Sequence, residues 1–133
     1  VCACPQDLPP DQQIFARAEA DAKAAGTSVA IEHDAHTAGK DAQVIYTDTW
    51  VSMGQEEEAA ALRKKLRPYQ VTEALMKDAS KEAVFMHCLP AHRGDEISAG
   101  LMDAPDTVVW DEAENRLHAQ KALMETLLLA NRD

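Results

Sequence analysis

The chain has 133 residues, 46% of them hydrophobic and 27% charged. That is enough for one globular, soluble domain with a sizeable core. The formal net charge of −10 leaves no phosphate-neutralising surface, which excludes nucleic acid and anionic membranes as partners. No apolar stretch approaches the roughly 20 residues that cross a bilayer. No signal peptide is visible, so a cytoplasmic location is expected.

Val1–Cys4 reads as extended, and Pro9-Pro10-Asp11 opens a helix to about Ala25. Ile14, Ala18, Ala22 and Ala25 share one face of that helix, and Gly26 is placed to stop it. Ser28–Glu32 is a second strand, Ala35–Gly39 a single helical turn or loop, and Gln43–Thr47 a third strand. The following helix is strongly signalled. Ser52-x-x-Gln55 is a capping-box pattern. Glu56 to Glu58 fill the first turn and Arg63 to Lys65 the last, in accord with the helix dipole. Ala59, Leu62 and Leu66 form its buried stripe, and Pro68 ends it. A shorter helix spans Thr72–Ala79, followed by strands at Val84–His87 and Thr107–Trp110. A final helix runs from about Glu112 to Ala130 with Asp111 as N-cap, and its Leu117, Met124, Leu127 and Leu128 face a core or a neighbour.

Strands alternating with helices predict an α/β fold, a Rossmann-like parallel sheet with helices on both faces. The first strand starts at residue 1 with no cap or element before it. That abrupt start predicts a sheet truncated at its N-terminal strand-helix unit. The three cysteines, Cys2, Cys4 and Cys88, are odd in number, which suits a reducing compartment better than a disulfide framework. Cys2 and Cys4 alternate along one strand and read as two small buried apolar residues. A metal site there lacks a second Cys or His pair, and no metal or cofactor is expected.

Two strand ends carry chemistry. Ligands of open α/β sheets bind at the carboxyl ends of the strands. Asp48-Thr49-Trp50-Val51-Ser52-Met53-Gly54 follows one strand, and His87-Cys88-Leu89-Pro90 closes another. Unpaired N–H groups at a helix start near Ser52 would seat a carboxylate, and Asp48 would hold an ammonium. Together they suit a zwitterionic amino acid. An ordinary capped helix explains the same spacing. Cys88 is a nucleophile or proton carrier, its thiol open to activation by His87 or a helix terminus, or else a buried structural cysteine. His87 reads equally as a core histidine. His33, His36, His92 and His118 read as solvated. Arg116, in the first turn of the last helix, opposes the dipole and calls for a nearby acid or an anionic ligand as partner.

Taken together and in order, Asp48-Thr49-Trp50-Val51-Ser52-Met53-Gly54-Gln55-Glu56-Glu57-Glu58, His87-Cys88-Leu89-Pro90 and Glu112-Ala113-Glu114-Asn115-Arg116 resemble ornithine carbamoyltransferase. The resemblance covers essentially the whole chain, as the greater part of the second, ornithine-binding domain. It implies transfer of the carbamoyl group of carbamoyl phosphate to the δ-amine of L-ornithine, giving citrulline and phosphate in arginine biosynthesis. On that resemblance Asp48 holds the amino groups of ornithine, while Ser52 and Met53 contact its amino-acid end. Cys88 handles a proton near the δ-amine, Leu89 presents its carbonyl to the carbamoyl amide, and Arg116 contacts carbamoyl phosphate. The resemblance also implies trimers or multiples of trimers, with the last helix, about 112–130, packing on a first domain.

The departures from the family pattern are as informative. The first domain's Ser-x-Arg-Thr phosphate cradle and His-Pro-x-Gln motif do not occur in this sequence. Residues 1–133 are therefore expected to be an incomplete second domain, inactive alone. Two other readings stay open: a carbamoyltransferase for another amine such as putrescine, and a non-catalytic amino-acid-binding module. Ser52-Met53-Gly54 favours an α-amino acid, because putrescine has no carboxylate to seat.

Overall fold

The computed structural model describes residues 1–51, 59–105 and 107–130. The short strand β1, Cys2–Ala3, leads into helix α1, Gln12–Ala24. Asp11 caps α1 by accepting from the Gln13 and Ile14 amides, both at 2.9 Å. Gly26 closes it in the left-handed conformation with φ 68°. Thr27 N donates to Ala22 O and Gly26 N to Lys23 O, which is the paired Schellman closure. Strand β2, Ile31–Glu32, helix α2, Ala35–Gly39, and strand β3, Val44–Thr47, follow. Then come α3, Ala59–Leu66, a 3₁₀ turn at Arg67–Tyr69, α4, Glu73–Asp78, and β4, Val84–His87. The chain closes with α5, Ala99–Met102, and α6, Val109–Ala130.

The described strands form two parallel pairs. In one, β1 lies beside β2; in the other, β3 lies beside β4 in the register Val44↔Val84 to Thr47↔His87. This is the parallel α/β arrangement the alternating pattern predicts. Successive strand residues face opposite ways, so Phe85 and His87 point inward and are 5% and 1% exposed. The core gathers there: Ala35, Val71, Leu75, Phe85, Ile97, Met102 and Val109. Val44 and Tyr46, on the other face of β3, are exposed. Among the described residues no helix is long and apolar enough to cross a membrane.

Several sequence expectations need correcting. Thr107–Trp110 is not a strand: Val109 opens α6, and the Glu112 amide already donates to Val108 O. The β-branched run gains more by burying Val109 completely against the core than by standing as an unpaired strand. Asp111 therefore lies inside the first turn of α6 rather than capping it. Ile14 is exposed, and only Ala22 of α1 is buried. Cys4 is buried but Cys2 is exposed, because β1 ends before Cys4 turns inward. From Ala113 to Ala130 every residue of α6 is exposed, Leu117, Met124, Leu127 and Leu128 included. Only the start of α6 meets the core.

Candidate active site

Parallel register sets up the site. Tyr46 lies opposite Met86 and Thr47 opposite His87, so the next residues, Asp48 and Cys88, meet as the strands end. The Cys88 thiol donates to Asp48 Oδ1 at 3.0 Å. The same oxygen accepts the Thr49 amide at 2.7 Å. Among the described residues no other hydrogen bond reaches Asp48. Asp48 is exposed and Cys88 half-buried, which puts the pair within reach of a solute.

The thiol is held above its ordinary pKa. The hydrogen bond to Asp48 is the largest cause, with burial and the carboxylate's charge adding to it, while a contact from Tyr46 pulls the other way. Cys88 thus stays protonated at neutral pH, the opposite of an activated nucleophile. The expectation that His87 activates it is wrong for a geometric reason. Alternation sends the His87 ring into the core, where Nε2 lies 3.1 Å from Glu96 Oε1 with both side chains fully buried. Leu89 N donates to His87 Nδ1 at 2.9 Å. Nδ1 is therefore the acceptor, and the ring proton sits on Nε2, donated to Glu96. Leu89 takes φ 55°, a left-handed conformation sparse for a branched residue, in the turn that this bond closes.

A second carboxylate fastens the site from α6. Glu112 Oε1 accepts from the Tyr46 hydroxyl at 2.9 Å, and its Oε2 accepts the His87 amide at 3.0 Å. One side chain thus joins β3 and β4 to α6. Burial, with Glu112 next, raises the Tyr46 phenol far above its usual pKa. Arg116 follows Glu112 by four residues, one helical turn along the same face, and is exposed. It is the eighth residue of α6 rather than in its first turn, so the dipole conflict inferred from sequence does not arise. Among the described residues Arg116 has no ion pair. Ser52 and Met53, with the Ser52–Gln55 capping pattern and Glu56 to Glu58, lie outside the described residues.

Of the other histidines, each is exposed as expected, but His92 links the two loops through Thr49 Oγ1, 3.0 Å from its Nδ1. Sequence reasoning missed Tyr46, Glu96 and the bridging role of Glu112. Tyr46 shares the face of Asp48 by strand alternation, a usable signal. Glu96, between Asp95 and Ile97 in a polar loop, gives none.

This arrangement carries an exposed carboxylate, with one oxygen unbonded among the described residues, beside a protonated thiol at the carboxyl ends of two parallel strands. The family profile for aspartate/ornithine carbamoyltransferase, Asp/Orn binding domain, matches residues 1–127. An ornithine carbamoyltransferase of Pyrococcus horikoshii is 53% identical over 128 residues, covering 96% of this chain and 40% of that protein. The chain thus spans well under half the length of that relative. Among solved structures, ornithine carbamoyltransferase from Pyrococcus furiosus superposes with a TM-score of 0.84 at 52% identity, over 92% of this chain and 39% of that one. The anabolic ornithine carbamoyltransferase of Campylobacter jejuni gives 0.90 at 36% identity, over 97% and 43%.

Proposed function

The chain belongs to the aspartate/ornithine carbamoyltransferase family through its Asp/Orn-binding domain, and on that premise we propose that it supplies the L-ornithine-binding half of an ornithine carbamoyltransferase. The reaction moves the carbamoyl group of carbamoyl phosphate to the δ-amine of ornithine, giving citrulline and phosphate, as a cytoplasmic step of arginine biosynthesis. The single observation that carries the proposal is the Cys88–Asp48 contact at the strand ends. An alkylammonium with a pKa of about 10 must lose a proton before it can attack a carbonyl carbon. Asp48 holds that ammonium through Oδ2 and favours its approach. Cys88, protonated and bonded to the same carboxylate, can take the amine's proton only as it passes its own to Asp48. The pair thus relays that proton to the carboxylate, and Cys88 is not a covalent nucleophile.

Leu89, turned by its left-handed backbone, offers its carbonyl to the carbamoyl amide. Arg116 contacts carbamoyl phosphate, and Ser52 and Met53 take the amino-acid end of ornithine. No covalent intermediate is needed, because phosphate is already a good leaving group. Catalysis rests on orientation and charge stabilisation. A dianionic phosphate needs more positive charge than Arg116 alone supplies in a chain of net charge −10, so the chain alone binds ornithine without turning it over. The exposed apolar face of α6 packs on the rest of a trimeric enzyme.

Titration calorimetry of the purified chain against ornithine and putrescine tests the assignment. Ornithine binding with markedly weaker putrescine binding is expected. Equal affinity for the two, or no heat with ornithine, overturns the substrate. Citrulline formed by the purified chain from ornithine and carbamoyl phosphate overturns the claim that it is inactive alone.

A further inference from the structure

The two strand-end loops are joined by more than the Cys88–Asp48 contact. A closed circuit of hydrogen bonds runs through one buried acid. Glu96 Oε1 accepts from the His92 amide at 2.5 Å and from His87 Nε2 at 3.1 Å. His92 Nδ1 is bonded to Thr49 Oγ1 at 3.0 Å, and the Thr49 amide donates to Asp48 at 2.7 Å. Asp48 accepts the Cys88 thiol, Cys88 follows His87 in the chain, and His87 returns to Glu96. The other nitrogen of His87 fixes the Leu89 amide. Beyond the β3–β4 pairing and the Glu112 clamp, the loops that follow both strands therefore meet on a single carboxylate oxygen.

Glu96 has 0% exposure, where an acid is stable only if it is well bonded. Its second oxygen, Oε2, is buried without a hydrogen-bond partner among the described residues, a cost a purely structural position would shed for an apolar side chain. The loop that carries it is pinned independently. Val71 N donates to Glu96 O and Ser98 N to Val71 O. Arg63 Nε pairs with Asp95 at 2.6 Å, and Gln70 Nε2 reaches Gly94 O at 3.0 Å. Glu96 is thus a fixed post, and the Asp48 and Cys88 loops are what it holds.

We propose that Glu96 is the positioning residue of this site, setting the Asp48–Cys88 contact through His87 on one side and His92–Thr49 on the other. The proposal takes from the functional reading only that Asp48 and Cys88 form the site. Its test needs no turnover. Asp48 bonds the Cys88 thiol and raises its pKa, while the Tyr46 hydroxyl, itself bonded to Glu112, acts on the thiol in the opposite sense. If Glu96 holds Asp48 against the thiol, releasing Glu96 moves the thiol's titration to lower pH.

The measurement is the pH–rate profile of iodoacetamide alkylation, read by mass spectrometry on the tryptic peptide Glu82–Arg93, which contains Cys88 and neither of the other cysteines. Glu96→Ala and Thr49→Val, each checked for a cooperative melt, should bring the inflection to lower pH. For an inflection lower by about one pH unit, alkylation at about pH 7.5 should be roughly threefold faster, because the thiolate fraction rises about tenfold while its nucleophilicity falls about threefold. Glu96→Gln, whose amide oxygen still accepts both donors, should match the parent rate within about twofold.

A role confined to stability would lower the melting temperature and leave the inflection in place. An unmoved inflection in folded Glu96→Ala overturns the proposal. Should that variant not fold, an unmoved inflection in Thr49→Val overturns it, and a lower inflection there supports it. Glu96→Gln behaving like Glu96→Ala overturns the hydrogen-bonded circuit in favour of charge alone. Failure of the parent chain to bind ornithine would sink the substrate assignment and leave this result standing.

Discussion

Asp48→Asn separates holding the site together from holding the ligand. Asp48 Oδ1 takes both internal donors, the Thr49 amide and the Cys88 thiol, at 2.7 and 3.0 Å. An asparagine can place its carbonyl oxygen there and keep both bonds. Its NH₂ then occupies the position of Oδ2, where a ligand ammonium would dock, and presents a donor to a donor. Losing a hydrogen bond to a charged group costs about 1.5–3 kcal/mol. The dissociation constant for ornithine should therefore rise from roughly tenfold to over a hundredfold. Thermal stability should barely move, because the internal bonds survive. Titration calorimetry with ornithine, paired with a circular dichroism melt, measures both. A folded variant that binds ornithine within about threefold of the parent, less than one charged bond is worth, would refute the assignment of Oδ2 to the ligand.

Two further predictions concern stability. Burial first lifts Cys4, Tyr46 and Tyr69 above their ordinary pKa values, and the hydrogen bond to Asp48 first lifts Cys88. The folded chain therefore keeps protons that the unfolded chain gives up, so stability falls as pH rises through about 8.5, the value of an unfolded thiol. The urea midpoint should be lower at about pH 9.5 than at about pH 7.5, with a smaller difference in Cys88→Ser; equal midpoints would contradict the raised thiols. Ile97 is 0% exposed within the core, so Ile97→Ala should cost about 2–5 kcal/mol in urea denaturation, and a loss under about 1 kcal/mol would mean the site collapses around the cavity.

The elements fixed by near neighbours were legible in the sequence. Asp11 and Gly26 bound α1 because capping and Schellman closure act over a few residues. The helix read at Thr72–Ala79 is found as α4, with Thr72 as its cap, accepting from Leu75 N, rather than as its first residue. β4 occupies Val84–His87 as read from its apolar run. Misreadings fall where distant packing decides. Val109 reads as a strand residue by propensity and becomes the first residue of α6 because the core offers it full burial. Ile14 reads as a core residue by periodicity and is exposed because, of the face it shares with Ala18 and Ala22, only the C-terminal part is covered, with Ala18 half-buried and Ala22 buried.

The site divides along the same line. Sequence alone placed the candidate residues Asp48 and Cys88 at two strand ends, because residue type and the strand period are local properties. Only the tertiary structure decided what they do to each other. Asp48 and Cys88 are 40 residues apart, and parallel register brings them together. The same alternation turns His87 away from Cys88 and into the core, onto a glutamate that looks like a surface residue in the sequence. A thiol that local reasoning allowed to be activated is instead held protonated, because the nearest charged group in space is a carboxylate rather than the imidazole beside it in the chain.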